Sequence, residues 1–202
     1  WFRQDLRLGD NPALAAAVAS GAPILPVFIL DDETPGKWAP GGASRWWLHR
    51  SLDALRQSLA ALDCPLLLRR GTAAETIRTL AAETGARAVY WNRCYEPFAI
   101  LRDAALKSAL KEDRIEAESF NAALLFEPWQ VKTKTGTPPK VYSPYWRAMR
   151  LLGDPAPEVA TPQSIPRPAK VPVGDQLDDW NLQPRDPDWA SGFTALWQPG
   201  EQ

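Results

Sequence analysis

Short apolar runs alternate with amphipathic helical stretches over the first 120 residues of this 202-residue chain. The runs at residues 23–30 and 65–68 are continuously apolar, which is typical of strands that are buried on both faces of a sheet. Helical periodicity follows, most clearly from Leu48 to Leu62, where leucines recur at steps of three and four. The alternation predicts βαβ units, and therefore an α/β domain whose parallel sheet has helices on both faces.

Five strands are expected in this Rossmann-like sheet. Residues 88–91 supply a further strand, and residues 114–120 alternate apolar and acidic side chains, which indicates a half-exposed edge strand. The opening residues 1–3 are interpreted as the end of a strand that starts upstream. The carboxyl ends of the strands, where ligands bind in such sheets, fall near Arg3, Asp31 and Asn92.

Residues that cap or end helices predict where the helices begin and end. Asn11 precedes Pro12 and can cap a helix that starts there, and Ser44 is the expected cap of the leucine-rich helix. Thr72 and Glu75 have capping-box spacing, while Gly85 closes the same helix. A further helix enters through Pro97 and runs to about Lys111.

The second part of the chain changes in character. From Leu151 onward the chain holds nine of its twenty prolines, which indicates an irregular Pro-rich linker over residues 121–202, with the α/β domain over residues 1–120. Residues 129–150 carry basic and aromatic side chains without a single acid. A nucleic-acid backbone is one partner for such a block, and the alternative is a solvated turn followed by a helix that packs its aromatics on the domain. The candidate nucleic-acid contacts are Lys132, Lys134, Lys140, Arg147 and Arg150.

Composition excludes several classes of protein. The net charge of −1 is not that of a uniformly basic nucleic-acid coat, and no apolar run approaches the length that crosses a membrane. We expect a cytoplasmic monomer without a membrane partner. A single histidine, His49, and two distant cysteines, Cys64 and Cys94, give no metal site. The common nucleotide and hydrolase motifs are absent.

Four sequence blocks resemble one family in order and spacing. They are residues 1–14 (WFRQDLRLGDNPAL), 44–55 (SRWWLHRSLDAL), 89–97 (VYWNRCYEP) and 140–149 (KVYSPYWRAM). Together they resemble the photolyase/cryptochrome family, most closely the bacterial class I cyclobutane pyrimidine dimer photolyases. The resemblance covers the whole chain.

The resemblance implies that the chain is the N-terminal antenna domain and interdomain linker of a deoxyribodipyrimidine photo-lyase. Such an enzyme repairs UV-damaged DNA by light-driven electron transfer from reduced FAD, which is bound in a helical domain outside this chain, so no catalytic residue is expected here. Two alternatives stay open: a cryptochrome photosensor, and a stand-alone nucleotide-binding α/β module.

The resemblance also implies an antenna-chromophore pocket near the ends of the first, second and fourth strands. Its candidate lining is Arg3, Asp31, Trp38, Pro40, Ser44, Cys94, Phe98 and Ala99. A folate pocket has polar residues where this chain has Trp38, Phe98 and Ala99, so a deazaflavin or FMN is favoured over a folate. The alternative is a member that has lost its antenna.

Charged side chains crowd the opening block. Two arginines and two aspartates at a strand end need partners if they are buried, so an ion-pair cluster is expected. Arg3 is placed at the rim of the pocket, whereas Asp5, Arg7 and Asp10 are expected to hold the loop. Trp46, Trp47, Trp91 and Trp146 are interpreted as core or interdomain-contact residues.

Overall fold

The computed structural model of the protein describes residues 1–133 and 135–201. Strands and helices alternate as the sequence predicts. The strands are β1 (Val27–Leu30), β2 (Leu67–Arg70), β3 (Ala88–Asn92) and β4 (Glu116–Phe120). The helices are α1 (Pro12–Ala19), α2 (Gly42–Ala60), α3 (Ala73–Thr84), α4 (Pro97–Glu112) and α5 (Tyr142–Arg150). The α/β fold class is therefore confirmed.

The expected five-stranded sheet does not form as one continuous ladder. Instead, β1 pairs with β2 and β3 pairs with β4, each pair parallel. The first two residues lie between the two sheets: Phe2 makes one parallel bridge to Phe28, and the Trp1 backbone nitrogen donates to the Tyr90 carbonyl at 2.9 Å. A single bridge is not a strand, so each sheet has two strands.

Helix boundaries follow local chemistry with two exceptions. The Asn11 side chain accepts a hydrogen bond from the Leu14 N–H at 3.1 Å, as expected of the cap of α1, and Gly85 ends α3 with a φ of +68°. One exception is Thr72, whose side chain makes no capping bond at the start of α3. The other is Ser44, because α2 begins at Gly42 with Gly41 as its cap. Ser44 thus lies exposed within the first turn instead of capping the helix.

Helices cover the sheets on both faces. On one face, Ile77, Leu80, Leu106 and Leu110 of α3 and α4 surround Trp91, which is completely buried. On the other, Leu52 of α2 packs against strand residues together with Leu177, Trp180 and Leu182 from the second part of the chain. The core therefore draws on residues well beyond residue 120.

Residues 121–133 and 135–201 are largely irregular, and they run along the α/β domain. The Val159 carbonyl accepts from the Asp10 N–H at 2.9 Å, and the Asp175 N–H donates to the Leu68 carbonyl at 2.9 Å. A short 3-10 helix at Leu177–Trp180 carries two of the buried side chains. No helix among the described residues combines the length and apolar character needed to cross a membrane.

Candidate functional site

A cavity of about 500 Å³ opens at the carboxyl ends of β1 and β3. Seven of the eight residues predicted to line an antenna pocket lie around it: Arg3, Asp31, Trp38, Pro40, Cys94, Phe98 and Ala99. Ser44 is not among its lining residues. Trp1, Glu96 and Arg102 line the cavity as well, and sequence reasoning missed them.

Arg3 lies below the cavity rim and already has partners. Its guanidinium makes two hydrogen bonds to Asp103 on α4, at 2.7 and 3.0 Å, and donates to the Asn92 carbonyl. The side chain is buried rather than placed at a rim. The expected ion-pair cluster exists, but the partner of Arg3 comes from α4 and not from Asp5, whose carboxylate accepts from the Arg3 N–H and from Asn92.

Trp1 forms the floor of the cavity between two cations. The guanidinium carbons of Arg3 and Arg102 lie 4.6 and 4.8 Å from the centre of its ring, a distance at which cation–π attraction operates. Arg102 also pairs with Asp103 at 2.9 Å. One carboxylate thus organises both arginines, and the indole packs edge-on against Trp91.

Asp31 has a structural role in this fold. Its carboxylate accepts hydrogen bonds from the Thr34 N–H at 2.9 Å and from the Ala73 N–H at 2.9 Å. The second bond caps α3, in place of the Thr72 side chain, which bonds Glu75 instead. Although burial alone would raise the pKa of Asp31, the bonds from Thr34, Ala73 and Glu33 hold that pKa below its ordinary value.

Two further lining groups have defined protonation. Burial would raise the pKa of Glu96, but the hydrogen bond from Gln4 and the nearby Arg3 and Arg102 hold it below its usual range, so the carboxylate is charged at neutral pH. Burial raises the pKa of the Cys94 thiol, with Arg3 partly opposing the effect. Cys94 is therefore a neutral wall residue and not a nucleophile.

Three buried polar atoms of cavity residues lack a hydrogen-bond partner among the described residues: Trp1 Nε1, Arg3 Nε and Glu96 Oε2. Each of them has less than 1 Å² of accessible surface, so none is exposed to the cavity. The walls are apolar and aromatic, with Phe28, Leu48 and Phe98, and Trp38 stands 72% exposed at the mouth. Walls of this kind fit a planar aromatic ligand.

The basic block lies away from this cavity. Lys132, Lys140, Arg147 and Arg150 are exposed and make no ion pair with a described residue, and Lys134 lies outside the described residues. Helix α5 has no buried residue. Its Tyr142 and Trp146 rings are exposed and stack on each other with centres 6.3 Å apart, whereas Tyr145 is half-buried.

Comparison with known proteins decides the family. The family model described as DNA photolyase matches residues 1–164. The chain belongs to the DNA photolyase family. A deoxyribodipyrimidine photo-lyase of Agrobacterium fabrum is 44% identical over 201 residues, which is 100% of this chain and 41% of the relative. Cryptochrome-1 of Arabidopsis thaliana is 39% identical over 167 residues, 82% of this chain and 24% of the relative.

A solved structure shares the fold of this photolyase-family chain closely. The crystal structure of a bacterial class III photolyase from Agrobacterium tumefaciens superposes with a TM-score of 0.92 at 44% identity, covering 99% of this chain and 41% of that one. The sequence resemblance points to class I, whereas this relative is a class III enzyme. The chain spans about two fifths of the length of these photolyases.

Members of the family typically bind FAD and an antenna chromophore. Among the residues that the structure describes, no three histidine, cysteine or acidic side chains are grouped so that they could hold a metal ion.

Proposed function

We propose that this chain is the light-collecting part of a class III DNA photolyase and that the cavity at the ends of β1 and β3 holds its antenna chromophore. The observation that carries the proposal is the aromatic-walled cavity of about 500 Å³ at these strand ends, which is lined by seven of the eight residues predicted for an antenna pocket. The 44% identity to a class III photolyase over almost the whole chain supports the class.

In the complete protein we propose repair of cyclobutane pyrimidine dimers in UV-damaged DNA, as the name of the Agrobacterium relative suggests. FAD, bound outside this chain, would supply the electron that splits the dimer. The residues of this chain serve an earlier step. Phe28, Leu48 and Phe98 exclude water from the antenna chromophore, and Glu96 places a charged carboxylate in the cavity wall.

We propose a deazaflavin or FMN rather than a folate as the chromophore. Trp38, Phe98 and Ala99, which lack the polar groups of a folate pocket, line the cavity. Arg3 and Asp31 are both held by partners within the chain, so neither side chain is free to select the ligand. Mass spectrometry of the extracted chromophore distinguishes deazaflavin, FMN and folate.

Substitutions at the cavity mouth test the site in the complete protein. Trp38→Ala and Glu96→Gln should each lower the antenna chromophore recovered per FAD, because they remove a ring contact and a charged acceptor, while the FAD content is unchanged. Trp129→Ala is the matched control, an exposed tryptophan that does not line the cavity. Equal occupancy in all three variants would place the chromophore elsewhere. Asp31→Ala is unsuitable because it removes the cap of α3.

A cryptochrome photosensor is the second candidate, favoured by the 39% identity to the Arabidopsis cryptochrome. Repair activity distinguishes a photolyase from a photosensor. Under blue light the complete protein should convert the thymine dimers of irradiated DNA back to separate thymines if it is a photolyase, and the dimer content should stay constant in the dark control. Unchanged dimers after illumination of protein with reduced FAD would favour the photosensor.

A further inference from the structure

The loop of residues 7–11 fastens several distant parts of the second half of the chain. Arg7 shapes the loop by donating to the Gly9 carbonyl at 3.1 Å and to the Ala122 carbonyl at 2.8 Å. Val159 pairs with Asp10 through two hydrogen bonds. The third attachment is Glu201, which approaches the loop from the other end of the sequence.

Glu201 binds two successive backbone amides of this loop. Its Oε2 accepts from the Leu8 N–H at 2.6 Å, and its Oε1 accepts from the Gly9 N–H at 2.7 Å. Consecutive N–H groups that point at one anion form a backbone nest, and bonds to a charged acceptor are about twice as strong as neutral ones. The carboxylate is therefore held at both oxygens.

Two glycines make this approach sterically feasible. A Cβ on Gly9 would lie 2.8 Å from Glu201 Oε1 and 3.0 Å from the Thr161 hydroxyl oxygen. Gly200 has a φ of +117°, and a Cβ there would lie 2.5 Å from the Cβ of Ala54 on α2. Only glycine tolerates both the backbone angle and the contact at residue 200. The segment before Glu201 thus lies directly against α2.

An aromatic contact fixes the other end of the same segment. The Trp197 ring packs edge-on against Trp47 of α2, with ring centres 6.0 Å apart. Residues 197–201 are consequently held at Trp197 by α2 and at Glu201 by the loop of residues 7–11. Such a double attachment defines the direction of the backbone at this point.

We propose that Glu201 is a latch, a positioning residue that sets the direction in which the chain leaves the light-collecting domain. In a protein of photolyase length, this direction sets the distance and orientation between the antenna chromophore and FAD, on which excitation transfer depends. The role in transfer rests on the proposed function above, whereas the latch itself is a property of this chain.

Hydrogen exchange of the 202-residue chain tests the latch directly. In Glu201→Ala, exchange of the Leu8 and Gly9 amides should accelerate about tenfold or more, since a bond to a charged group is worth roughly 1.5–3 kcal/mol. Glu201→Gln keeps one carbonyl acceptor and should show a smaller increase. Glu158→Ala, an exposed acid of the same segment, is the control and should leave both amides unchanged. Equal exchange in Glu201→Ala and in the control would overturn the latch.

A double-mutant cycle asks whether Gly9 and Glu201 act on one another. Gly9→Ala should lower the melting temperature because its methyl group displaces the carboxylate. In the Glu201→Ala background the same substitution should cost distinctly less, since that conflict is gone. Strictly additive effects would show that the two residues are not coupled and would contradict the geometry.

The role in transfer is tested in the complete photolyase. Glu201→Ala should lower the efficiency of excitation transfer from antenna to FAD, while both chromophore contents and repair under direct flavin excitation stay as in the parent protein. Unchanged transfer efficiency would overturn the positioning role even where hydrogen exchange supports the latch. Absence of any antenna chromophore would overturn the proposed function and leave the exchange result standing.

Discussion

Asp103 shows how a single buried carboxylate can organise a site. It pairs with Arg3 and Arg102 and accepts from the Trp91 indole N–H at 3.1 Å. Asp103→Asn should therefore lower the free energy of unfolding by about 3–5 kcal/mol, because it leaves buried guanidinium charge uncompensated. Urea denaturation measures the loss. The control Asp53→Asn removes a more exposed pair with Arg56 and should cost less than about 1 kcal/mol; similar losses in the two variants would contradict this role.

Residue-level roles are only partly predictable from sequence. The need for an ion-pair cluster around Arg3 follows from burial of charge, but its partner Asp103 lies 100 positions away, and no local pattern announces such a pair. Asp31 is predictable as a cavity residue, yet its capping of α3 depends on Ala73, 42 positions later. Both roles arise from tertiary proximity alone.

Helix α5 carries a prediction at the scale of the element. Arg147 and Arg150 are exposed on it, and Lys140 lies just before it. The chain should bind duplex DNA weakly and without sequence preference, with affinity that falls steeply as salt is raised. Changing these three residues to Gln should reduce the slope of log K against log salt by about 3, since each phosphate that a basic side chain neutralises adds roughly 0.9 to that slope.

A matched triple variant serves as the control for DNA binding. Lys111, Lys170 and Arg185 are equally exposed but lie outside the block, so changing them to Gln should leave the slope near that of the parent chain. Fluorescence anisotropy with labelled duplex at several salt concentrations measures both variants. Equal slopes in the two triple variants would show that the block does not contact phosphates.

Elements are the level at which sequence predicts most. Periodicity and capping residues locate α1, α3 and α4, because these signals are local to each helix. The start of α2 is misplaced at Ser44 since Gly41 and Gly42 carry no capping side chain. The sequence predicts the strands but places them in a single sheet. The one-residue bridge at Phe2 does not join the two pairs of strands into one sheet.

The second part of the chain contributes to the stability of the whole molecule. Ile165, Leu177, Trp180 and Leu182 are buried against the α/β domain. A chain that ends at Gly153 loses these four side chains, at roughly 1.5–3 kcal/mol each, which approaches the total stability of an ordinary domain of about 5–15 kcal/mol. It should therefore fail to unfold cooperatively when heated under circular dichroism.

A matched variant makes the truncation informative. Val173→Ala in the 202-residue chain changes an exposed apolar residue of the same segment and should keep the parent melting temperature. If the chain ending at Gly153 also melted at that temperature, residues 154–201 would contribute nothing to the stability of the folded chain. The packing of residues 154–201 could not be predicted from the sequence, because it depends on backbone hydrogen bonds that are scattered along the segment and follow no period.

The action spectrum of dimer repair by the complete protein tests the central claim most directly. If the cavity at the ends of β1 and β3 holds the antenna, repair per incident photon should show a band beyond that of FAD. Trp38→Ala and Glu96→Gln should reduce this band while the flavin band stays constant. An action spectrum that follows FAD absorption alone, and is identical in parent and variants, would contradict the assignment of a light-collecting site to this cavity.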